Sequence, residues 1–542
     1  MPGRLTRNTS TSLRAWQRHA LDRLAEWQGG PFLISAAPGA GKTRPALELA
    51  AGLLARQVCK RVVVLCPTTP LTRQWAAAGA ALGVQLQPDA ESADPPRDFH
   101  GVAVTYARVA SDPAAWATKV RRDTLVVVDE AHHLGEDLAW GVGFRQAFTR
   151  AERWLLLSGT PFRSDATPIP GVRYDGDGVV VPDVSYAYAQ AVAEGICRPV
   201  AFVTFDGSLS WRSGDDVIES SFETVLTGRE ASRRYRTAIS TELPDGLPRI
   251  LKEADAKLRA LRVSGHSDAG ALAIAADASH ARQIAKLLSE ATGRAPVVVL
   301  HTEARAARKL ADFRSSRDPW IVAVNMVSEG VDIPRLRVGV YASAAKTPLI
   351  FRQIVGRFVR TTPGRPAEPS WLYLPADQTL RGHAANVEGE LRHALRREEP
   401  GEEFDELAER RASEPSPSPD FVPLSAEFAA QMTLFGAPQA ARGSAPSPAA
   451  ADVAASRLSL PAPEPAPRAA FEQRAELRHE RSRLVGELAR REKRSHREIN
   501  AWLNRAVGIE RVNDATIEQL ERSVGALVKE LSRGGAARAP AH

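Results

Sequence analysis

The chain has 542 residues, enough for two or three domains with appended segments, and a 44% hydrophobic share allows sizeable cores. A formal net charge of +7 favours a polyanionic partner only mildly, because charge also serves solubility. Three scattered cysteines argue against a zinc site and a disulfide framework, and no apolar run approaches the ~18 residues of a membrane span. The first residues lack the apolar stretch of a signal peptide, so we expect an intracellular protein.

Short apolar runs alternate with amphipathic stretches in two blocks, and this pattern is typical of parallel sheets covered by helices. In the first block the pattern predicts strands at 32–35, 61–66, 101–105, 125–129 and 154–158, with helices at 43–56 and 70–82. In the second block it predicts strands at 271–275, 297–300, 321–324, 338–341 and 371–374. Between the blocks it predicts a strand at 199–205 and helices at 185–194, 228–240 and 247–262.

The composition changes sharply after residue 400. Residues 411–470 are rich in Pro, Ser and Ala, which predicts a disordered linker. Two helical stretches follow, at 471–503 and 515–531, and the first is dense in arginine. The predicted fold class is therefore α/β, with two tandem parallel-sheet domains, a disordered linker and a small helical C-terminal region. The predicted boundaries are 1–172, 173–265 for a connecting, mostly helical region, 266–398, 399–470 and 471–542.

A phosphate-binding loop follows the first predicted strand, because residues 36–43 read AAPGAGKT. Main-chain amides of such a turn, together with the amino end of the next helix, bind phosphate oxygens. The loop residues predicted to bind ATP are Ala37, Pro38, Gly39, Ala40, Gly41, Lys42 and Thr43. Lys42 is assigned to the β- and γ-phosphates and Thr43 to Mg²⁺. Ala36 stands where the strict pattern has glycine, which is permitted if its φ is negative.

A second motif, VVVDEAHH at 126–133, places carboxylates at the end of a predicted strand, where parallel sheets bind ligands. Asp129 is assigned to Mg²⁺ through water, and Glu130 to orienting and deprotonating the attacking water. His132 is assigned to sensing the γ-phosphate. These two motifs make the chain resemble the superfamily 2 helicases and translocases of the DEAH type, over about residues 10–376. The segments SGTPF at 158–162 and MVSEGVDIP at 326–334 resemble the DNA-acting restriction-enzyme and repair branch of that family. The resemblance implies that both domains are RecA-like and that ATP lies between them.

The resemblance extends to the weaker motifs of the first domain. Gln17, in LRAWQRHAL, resembles the adenine-reading glutamine of the family. The segment LCPTTPLTRQW at 65–75 implies nucleic-acid contacts by Thr68 and Arg73, and VTY at 104–106 implies contacts by Thr105 and Tyr106. The segment SGTPF at 158–162 resembles the motif that couples hydrolysis to strand movement.

Two motifs of the second domain complete the resemblance. In NMVSEGVDIP at 325–334, Gly330 and Asp332 imply nucleotide contacts and Met326 a nucleic-acid contact. In QIVGRFVR at 353–360, the resemblance makes Gln353, Arg357 and Arg360 catalytic, with the two arginines projecting from one helix face toward the γ-phosphate.

These motifs lead to an ATP-dependent DNA helicase or translocase in repair, recombination or replication restart, cytoplasmic and associated with the nucleoid. The alternatives are the duplex-translocating motor of a restriction or anti-phage defence system, an RNA helicase, and a scaffold docked on the replication sliding clamp. The clamp is a candidate partner because QMTLF at 431–435 resembles a clamp-binding peptide, with docking residues Gln431, Leu434 and Phe435. The basic helix at 474–497 is interpreted either as a contact to duplex or forked DNA or as a solvated charged helix or coiled coil, and the terminal helices alternatively as a small partner-binding bundle.

Overall fold

A computed structural model describes residues 13–136, 138–159, 168–176, 179–213, 215–226, 228–300, 303, 305–324, 333–361, 368–395, 421–432 and 469–536. The chain divides into two compact units. The first unit comprises Met1–Ser35, Gly41–Ser185 and Ser456–His542, and the second comprises Ala36–Ala40 and Tyr186–Ala455. Within the described ranges, no helix is both long and apolar enough to cross a membrane.

The first unit is built on a seven-stranded sheet with the order β3-β4-β2-β5-β6-β1-β7. Every pairing from β3 to β1 is parallel. The elements in chain order are α1 (Ala15–Ala25), β1 (Gly30–Ala36), α2 (Thr43–Ala55), β2 (Arg61–Cys66), α3 (Thr69–Ala80), β3 (Leu86–Pro88), β4 (Gly101–Thr105), α4 (Tyr106–Ser111), α5 (Pro113–Lys119), β5 (Thr124–Asp129), α6 (His133–Glu136), α7 (Leu138–Phe148), β6 (Arg153–Ser158) and β7 (Val184–Tyr186). The five strands predicted for the first block are present, each within two residues of its predicted bounds.

The second unit holds an eight-stranded, mostly parallel sheet with the order β11-β12-β10-β13-β14-β8-β15, and β9 pairs with β8. Its elements are α8 (Tyr188–Ala193), β8 (Val200–Ser213), β9 (Asp216–Ser220), α9 (Gly228–Ala238), α10 (Leu247–Val263), β10 (Gly270–Ala275), α11 (Ala278–Thr292), β11 (Val297–Val299), α12 (Ala306–Ser315), β12 (Trp320–Val324), β13 (Leu336–Ala342), α13 (Pro348–Phe358), β14 (Ser370–Pro375), α14 (Gln378–Leu395) and β15 (Phe421–Met432). Two parallel-sheet α/β units confirm the predicted fold class.

Strand β8 shows that the segment between the two predicted blocks is not a separate, mostly helical region. Its residues Val200–Phe205 pair in parallel with β14, and its full length lies between β14 and β15 in the second sheet. The domain boundary predicted at residue 265 therefore separates β8 from the sheet to which it belongs. The physical reason is that the main-chain groups along the outer side of β14 need hydrogen-bond partners, and β8, from an earlier part of the chain, supplies them.

The segment 399–470 was predicted to be a disordered linker, but it contains a strand, β15. It pairs antiparallel with β8 from Phe421, opposite Ser213, to Met432, opposite Val203. Its side chains alternate, with Ala426 and Phe428 buried. Composition obscured this strand because it contains a proline, Pro423, which argues against a strand, and because the segments on both sides are rich in Pro, Ser and Ala.

Three helices form the C-terminal region, α15 (Ala470–Glu492), α16 (His496–Val507) and α17 (Ile517–Ala536). The basic stretch predicted as one helix is divided in two, because Lys493 ends α15 in the left-handed conformation and Ser495 begins α16 with a capping box. The bundle has its own core, which includes Leu488, Leu503 and Leu527. It docks on the first unit, where the Ala470 amide donates to Gln85 and the Ile517 amide donates to Asp98.

Candidate nucleotide and nucleic-acid site

The glycine-rich turn links β1 to α2, and its shape depends on glycine. Gly39 and Gly41 have φ values of +83° and +87°, a region that L side chains rarely adopt. Helix α2 begins directly after Lys42, so its amino end faces the turn. A strand, a turn with left-handed glycines and a helix amino terminus form the arrangement that binds phosphate.

Lys42 meets the second motif at the carboxyl edge of the first sheet. Its Nζ lies 3.1 Å from Oε1 of Glu130, the residue that follows β5. Glu130 has a φ of +55°, which is uncommon for a residue with a side chain and is typical of functional sites. The amide of Gly159 donates to the other carboxylate oxygen of Glu130 over 3.4 Å. The fold therefore unites the two predicted motifs and fixes the direction of the Glu130 side chain.

Asp129 ends β5 and lies buried between two aromatic donors. Trp75 Nε1 donates to Asp129 Oδ2 over 2.7 Å, and the Tyr106 hydroxyl donates to the Asp129 main-chain oxygen over 2.6 Å. Burial and the neighbouring Glu130 raise the pKa of Asp129 to about 6. Burial is the largest single influence and would raise the pKa of Glu130 too, but Lys42 and the neighbouring histidines together outweigh it, and the pKa of Glu130 is lowered. The pKa values of these two adjacent carboxyl groups are thus shifted in opposite directions, that of Asp129 upward and that of Glu130 downward.

These residues fit a bound Mg²⁺. Carboxylate and hydroxyl oxygens are the donors that Mg²⁺ prefers, and it usually takes only one or two carboxylates together with substrate phosphates. Asp129 has a carboxylate that burial and Glu130 make costly to ionise, and a divalent cation would offset that cost. Thr43, at the first turn of α2, supplies a hydroxyl beside the loop.

His132 is buried behind the carboxylates. Its Nδ1 lies 3.1 Å from the Ser158 hydroxyl, at the end of β6, and 3.6 Å from Glu130 Oε2. Burial and the neighbouring His133 lower the pKa of His132 to about 3, so the ring is neutral at physiological pH. The structure thus joins His132 to the first residue of the predicted coupling motif, whose Thr160, Pro161 and Phe162 lie outside the described residues.

Gln17, predicted to read adenine, is buried against the glycine-rich turn. Its Nε2 donates to the Gly41 carbonyl over 3.0 Å, and its Oε1 accepts from the Arg14 amide over 3.0 Å. These two bonds tie the start of α1 to the loop. In this structure Gln17 supports the loop itself.

Of the residues predicted to contact nucleic acid, Thr68 and Thr105 lie at or just beyond the carboxyl ends of β2 and β4, and Arg73 lies on α3. Thr68 precedes α3, and its hydroxyl is buried with no hydrogen-bond partner among the described residues. Arg73 is paired with Asp89 over 3.3 Å, so a phosphate would compete with that carboxylate. Thr105 caps α4 by accepting from the Arg108 amide, which leaves its hydroxyl proton for another acceptor.

Tyr106 differs from its prediction, because its side chain is only 1% exposed and its hydroxyl is bonded to Asp129. A nucleic-acid contact at this position would therefore come from the main chain. Sequence reasoning missed this role and the role of Trp75. An aromatic residue beside each nucleic-acid motif was the available signal, but it does not reveal a partner 54 residues away for Trp75.

The second unit carries the predicted arginine motif on α13. Pro348 begins this helix, with Thr347 as its cap, and Gln353 and Arg357 lie within it as half-buried residues. Arg360 lies beyond its end, so the prediction that both arginines project from one helix is wrong. The chain leaves the helix because the Arg198 amide donates to the Val359 carbonyl over 2.8 Å, and Arg360 bridges antiparallel to Cys197.

Several predicted residues lie outside the described ranges, namely Met326, Gly330, Asp332, Leu434 and Phe435. Of the clamp-like peptide, the structure describes the main chain of Gln431, which pairs in β15 opposite Thr204.

Three arginines of the predicted basic helix have structural partners. Arg474 is buried and donates to the Asn513 and Ala515 carbonyls, over 3.0 Å and 2.6 Å. Arg478 donates to the Asn513 carbonyl as well. Arg481 donates to the side-chain oxygens of Asn500 and Asn504. These contacts show that the helix packs within the C-terminal bundle of this chain.

Comparisons with known proteins match both units. A family model described as "Type III restriction enzyme, res subunit" matches residues 10–163, and one described as "Helicase conserved C-terminal domain" matches residues 255–362. "Uncharacterized protein Rv2917" of Mycobacterium tuberculosis (strain ATCC 25618 / H37Rv) is 43% identical over 393 residues. The match covers 71% of this chain and 65% of that relative, so the chain spans just under two thirds of its length.

Two solved structures are similar at low identity. A fragment of a putative HsdR subunit of a type I restriction enzyme from Vibrio vulnificus YJ016 is 16% identical, with a TM-score of 0.48 over 68% of this chain and 65% of that chain. The ATP-dependent Type ISP restriction-modification enzyme LlaBIII, solved bound to DNA, is 15% identical, with a TM-score of 0.47 over 71% of this chain and 30% of that chain.

Proposed function

Because the chain belongs to the superfamily 2 helicases, whose restriction-subunit and helicase C-terminal domains together indicate a helicase-type ATPase, we propose that it is an ATP-dependent DNA helicase or translocase. We place its activity in DNA repair, recombination or replication restart, in the cytoplasm and on the nucleoid. The observation that carries the proposal is the 3.1 Å contact of Lys42 with Glu130 at the glycine-rich turn. That contact unites a phosphate-binding cation with a carboxylate able to orient water.

The chemistry follows from the charges of these side chains. Glu130 is ionised at neutral pH because Lys42 lowers its pKa. When the phosphates of ATP bind, they compete for the Lys42 ammonium, and the Glu130 carboxylate is released to accept a hydrogen bond from the attacking water. The Gly159 amide keeps the other carboxylate oxygen in place. Nucleotide binding thereby prepares the carboxylate for hydrolysis.

Two further contributions complete the proposal. Thr43 and Asp129 would hold Mg²⁺, which would neutralise phosphate charge when bound. Gln353, Arg357 and Arg360, with Gly330 and Asp332, are proposed to contact the nucleotide, and the arginines to stabilise the transition-state charge on the γ-phosphate. Thr68, Arg73, Thr105 and Met326 are proposed to hold the DNA backbone, mainly through phosphates.

The test is the ATPase rate without nucleic acid and with single-stranded DNA, duplex DNA, forked DNA or RNA. We expect strong stimulation by single-stranded or forked DNA, and none in Lys42→Ala. Glu130→Gln should lose turnover while it still binds ATP, because the amide preserves shape but removes the charge. Turnover retained by Glu130→Gln would contradict the role of this carboxylate, and preference for RNA would overturn the DNA assignment.

A duplex-translocating motor of a restriction or defence system is the second candidate. The match of residues 10–163 to the restriction-subunit model favours it. Stimulation by duplex DNA alone, without strand separation, would distinguish it from a helicase.

The replication sliding clamp is the proposed additional partner. Its peptide begins within β15, so docking would require the Gln431 main chain to leave its pairing with Thr204. Loss of clamp capture in a Leu434→Ala/Phe435→Ala variant is the expected result, and no capture by the intact protein would end this proposal.

A further inference from the structure

Trp75 joins a predicted nucleic-acid segment to the predicted metal-binding carboxylate. It lies on α3, two residues after Arg73 and nearly two turns beyond the start of the helix that follows Thr68. Its side chain is 2% exposed, and its only polar atom, Nε1, donates to Asp129 Oδ2 over 2.7 Å. The indole is therefore held rigidly by packing while its single donor is aimed at one carboxylate oxygen.

Tyr106 makes a second, independent connection of the same kind. It begins α4 directly after Thr105, and its hydroxyl donates to the Asp129 main-chain oxygen over 2.6 Å. The ring is buried in the core of the first unit together with Val104 and Val128. Both segments predicted to hold the nucleic-acid backbone thus end in an aromatic side chain that is bonded to the same aspartate.

From this geometry we propose that Trp75 is a positioning residue, which orients the Asp129 carboxylate and, with Tyr106, couples nucleic-acid binding to the affinity for Mg²⁺-nucleotide. The inference rests on the proposed function, because Asp129 has a metal to bind only if the chain uses a nucleotide. Movement of α3 or α4 by a bound phosphate backbone would displace these donors. Displacement of Trp75 reorients the Asp129 carboxylate itself, and displacement of Tyr106 shifts the main chain that carries it.

A loose carboxylate binds metal less well, because ordering it then takes free energy from the binding step. The bond from Trp75 is made to a charged acceptor inside the protein, where such bonds are stronger than between neutral groups. Its loss should weaken Mg²⁺-dependent nucleotide binding about tenfold, the lower end of what such bonds contribute. Nucleotide binding without Mg²⁺ depends on the loop and Lys42 and should not change.

The test uses full-length protein and the substitution Trp75→Phe, which keeps a buried ring and removes the donor. The matched control is Trp154→Phe. Trp154 also lies in the first unit and donates from Nε1, over 3.2 Å, but its acceptor is the Phe148 carbonyl. The primary readout is the dissociation constant of a fluorescent ADP analogue with and without Mg²⁺. We expect the Mg²⁺-dependent gain to fall about tenfold in Trp75→Phe and to stay unchanged in Trp154→Phe.

The second readout is the affinity for single-stranded DNA with and without Mg²⁺-nucleotide. Coupling between two ligands is reciprocal, so a variant that uncouples them should lose the effect of nucleotide on DNA binding as well. We expect a smaller coupling factor in Trp75→Phe and Tyr106→Phe than in the wild type and Trp154→Phe. An unchanged Mg²⁺-dependent gain in Trp75→Phe, or an equal loss in both tryptophan variants, would overturn the inference.

The proposed function and the positioning role of Trp75 can be refuted by different results. If the wild type binds Mg²⁺-nucleotide but no nucleic acid stimulates its ATPase, the proposed function fails while the primary readout still tests Trp75. If stimulation is present and the tryptophan variants behave alike, the proposed function stands and the positioning role is wrong.

Discussion

Arg481 provides a sharp test of how the basic C-terminal helix is used. Its side chain is 5% exposed, and it donates from Nη1 to Asn500 Oδ1 and from Nη2 to Asn504 Oδ1, each over 2.8 Å. These bonds join α15 to α16. We expect Arg481→Ala to destabilise the bundle and to leave DNA contacts elsewhere unaffected.

The loss of bundle stability in Arg481→Ala follows from those contacts. Two hydrogen bonds from a charged donor contribute roughly 1.5–3 kcal/mol each, and truncation leaves two buried amide oxygens without a donor. Against this, burial lowers the pKa of Arg481 and its Nε has no hydrogen-bond partner among the described residues, so removing the cation recovers part of its desolvation cost. The net loss should be about 3 kcal/mol.

Hydrogen exchange on the full-length protein measures this loss locally, because the unfolding of a chain with several units is not a single two-state step. A loss of about 3 kcal/mol corresponds to about 100-fold faster exchange for amides protected by opening of the bundle. The matched control is Arg483→Ala on the same helix. Arg483 is 61% exposed and lies 3.6 Å from Glu487, so exchange should change by about twofold or less.

Two results would refute the reasoning about Arg481. Unchanged exchange in Arg481→Ala would show that its bonds to Asn500 and Asn504 do not stabilise the bundle. A loss of DNA affinity with unchanged exchange would show instead that this arginine faces nucleic acid in solution.

Three further predictions concern glycine geometry and histidine burial. A Cβ on Gly207 would lie 1.5 Å from a main-chain oxygen of β15, so Gly207→Ala should release that strand and speed its proteolysis, whereas Gly382→Ala, at a site open within 4 Å, should not. Gly41→Ala should weaken nucleotide binding in a fluorescence titration, because φ is +87° and a Cβ would lie 3.0 Å from Gln17 Nε2; wild-type affinity would contradict this. Burial lowers the pKa of His280, so the unfolded chain takes up its proton first; stability should fall as pH drops below about 6.5, and urea unfolding of His280→Gln should show a flatter pH dependence.

The sequence predicted most of the parallel strands of both sheets, because buried parallel strands are short, nearly continuous apolar runs, whereas β3, β7, β9 and β15 were not predicted. Strands β2 and β4 agree with their predicted bounds, and β10 differs by one residue at its start. The glycine-rich turn and the pair Asp129 and Glu130 could also be predicted, because their chemistry needs those residue types at fixed positions in the fold.

What the sequence did not reveal depends on contacts between distant segments. The bond from Trp75 to Asp129 requires knowing that α3 packs beside the end of β5, and no local pattern encodes this. The burial of Arg474 and Arg481 was hidden for the same reason, because an arginine that caps carbonyls and one that binds phosphate look alike in a sequence. Strand β15 was missed because it contains Pro423 and is flanked on both sides by sequence with the composition of a linker.

The late arrival of β15 has a consequence during synthesis. Strand β8 leaves the ribosome early, while its antiparallel neighbour follows only after α14 and the segment beyond it. At about 5–20 residues per second, one long edge of the second sheet stays uncovered for on the order of ten seconds or more. Exposed edges of this kind pair with other chains, so a nascent chain, or a fragment that stops before Phe421, is the form of this protein most prone to aggregate.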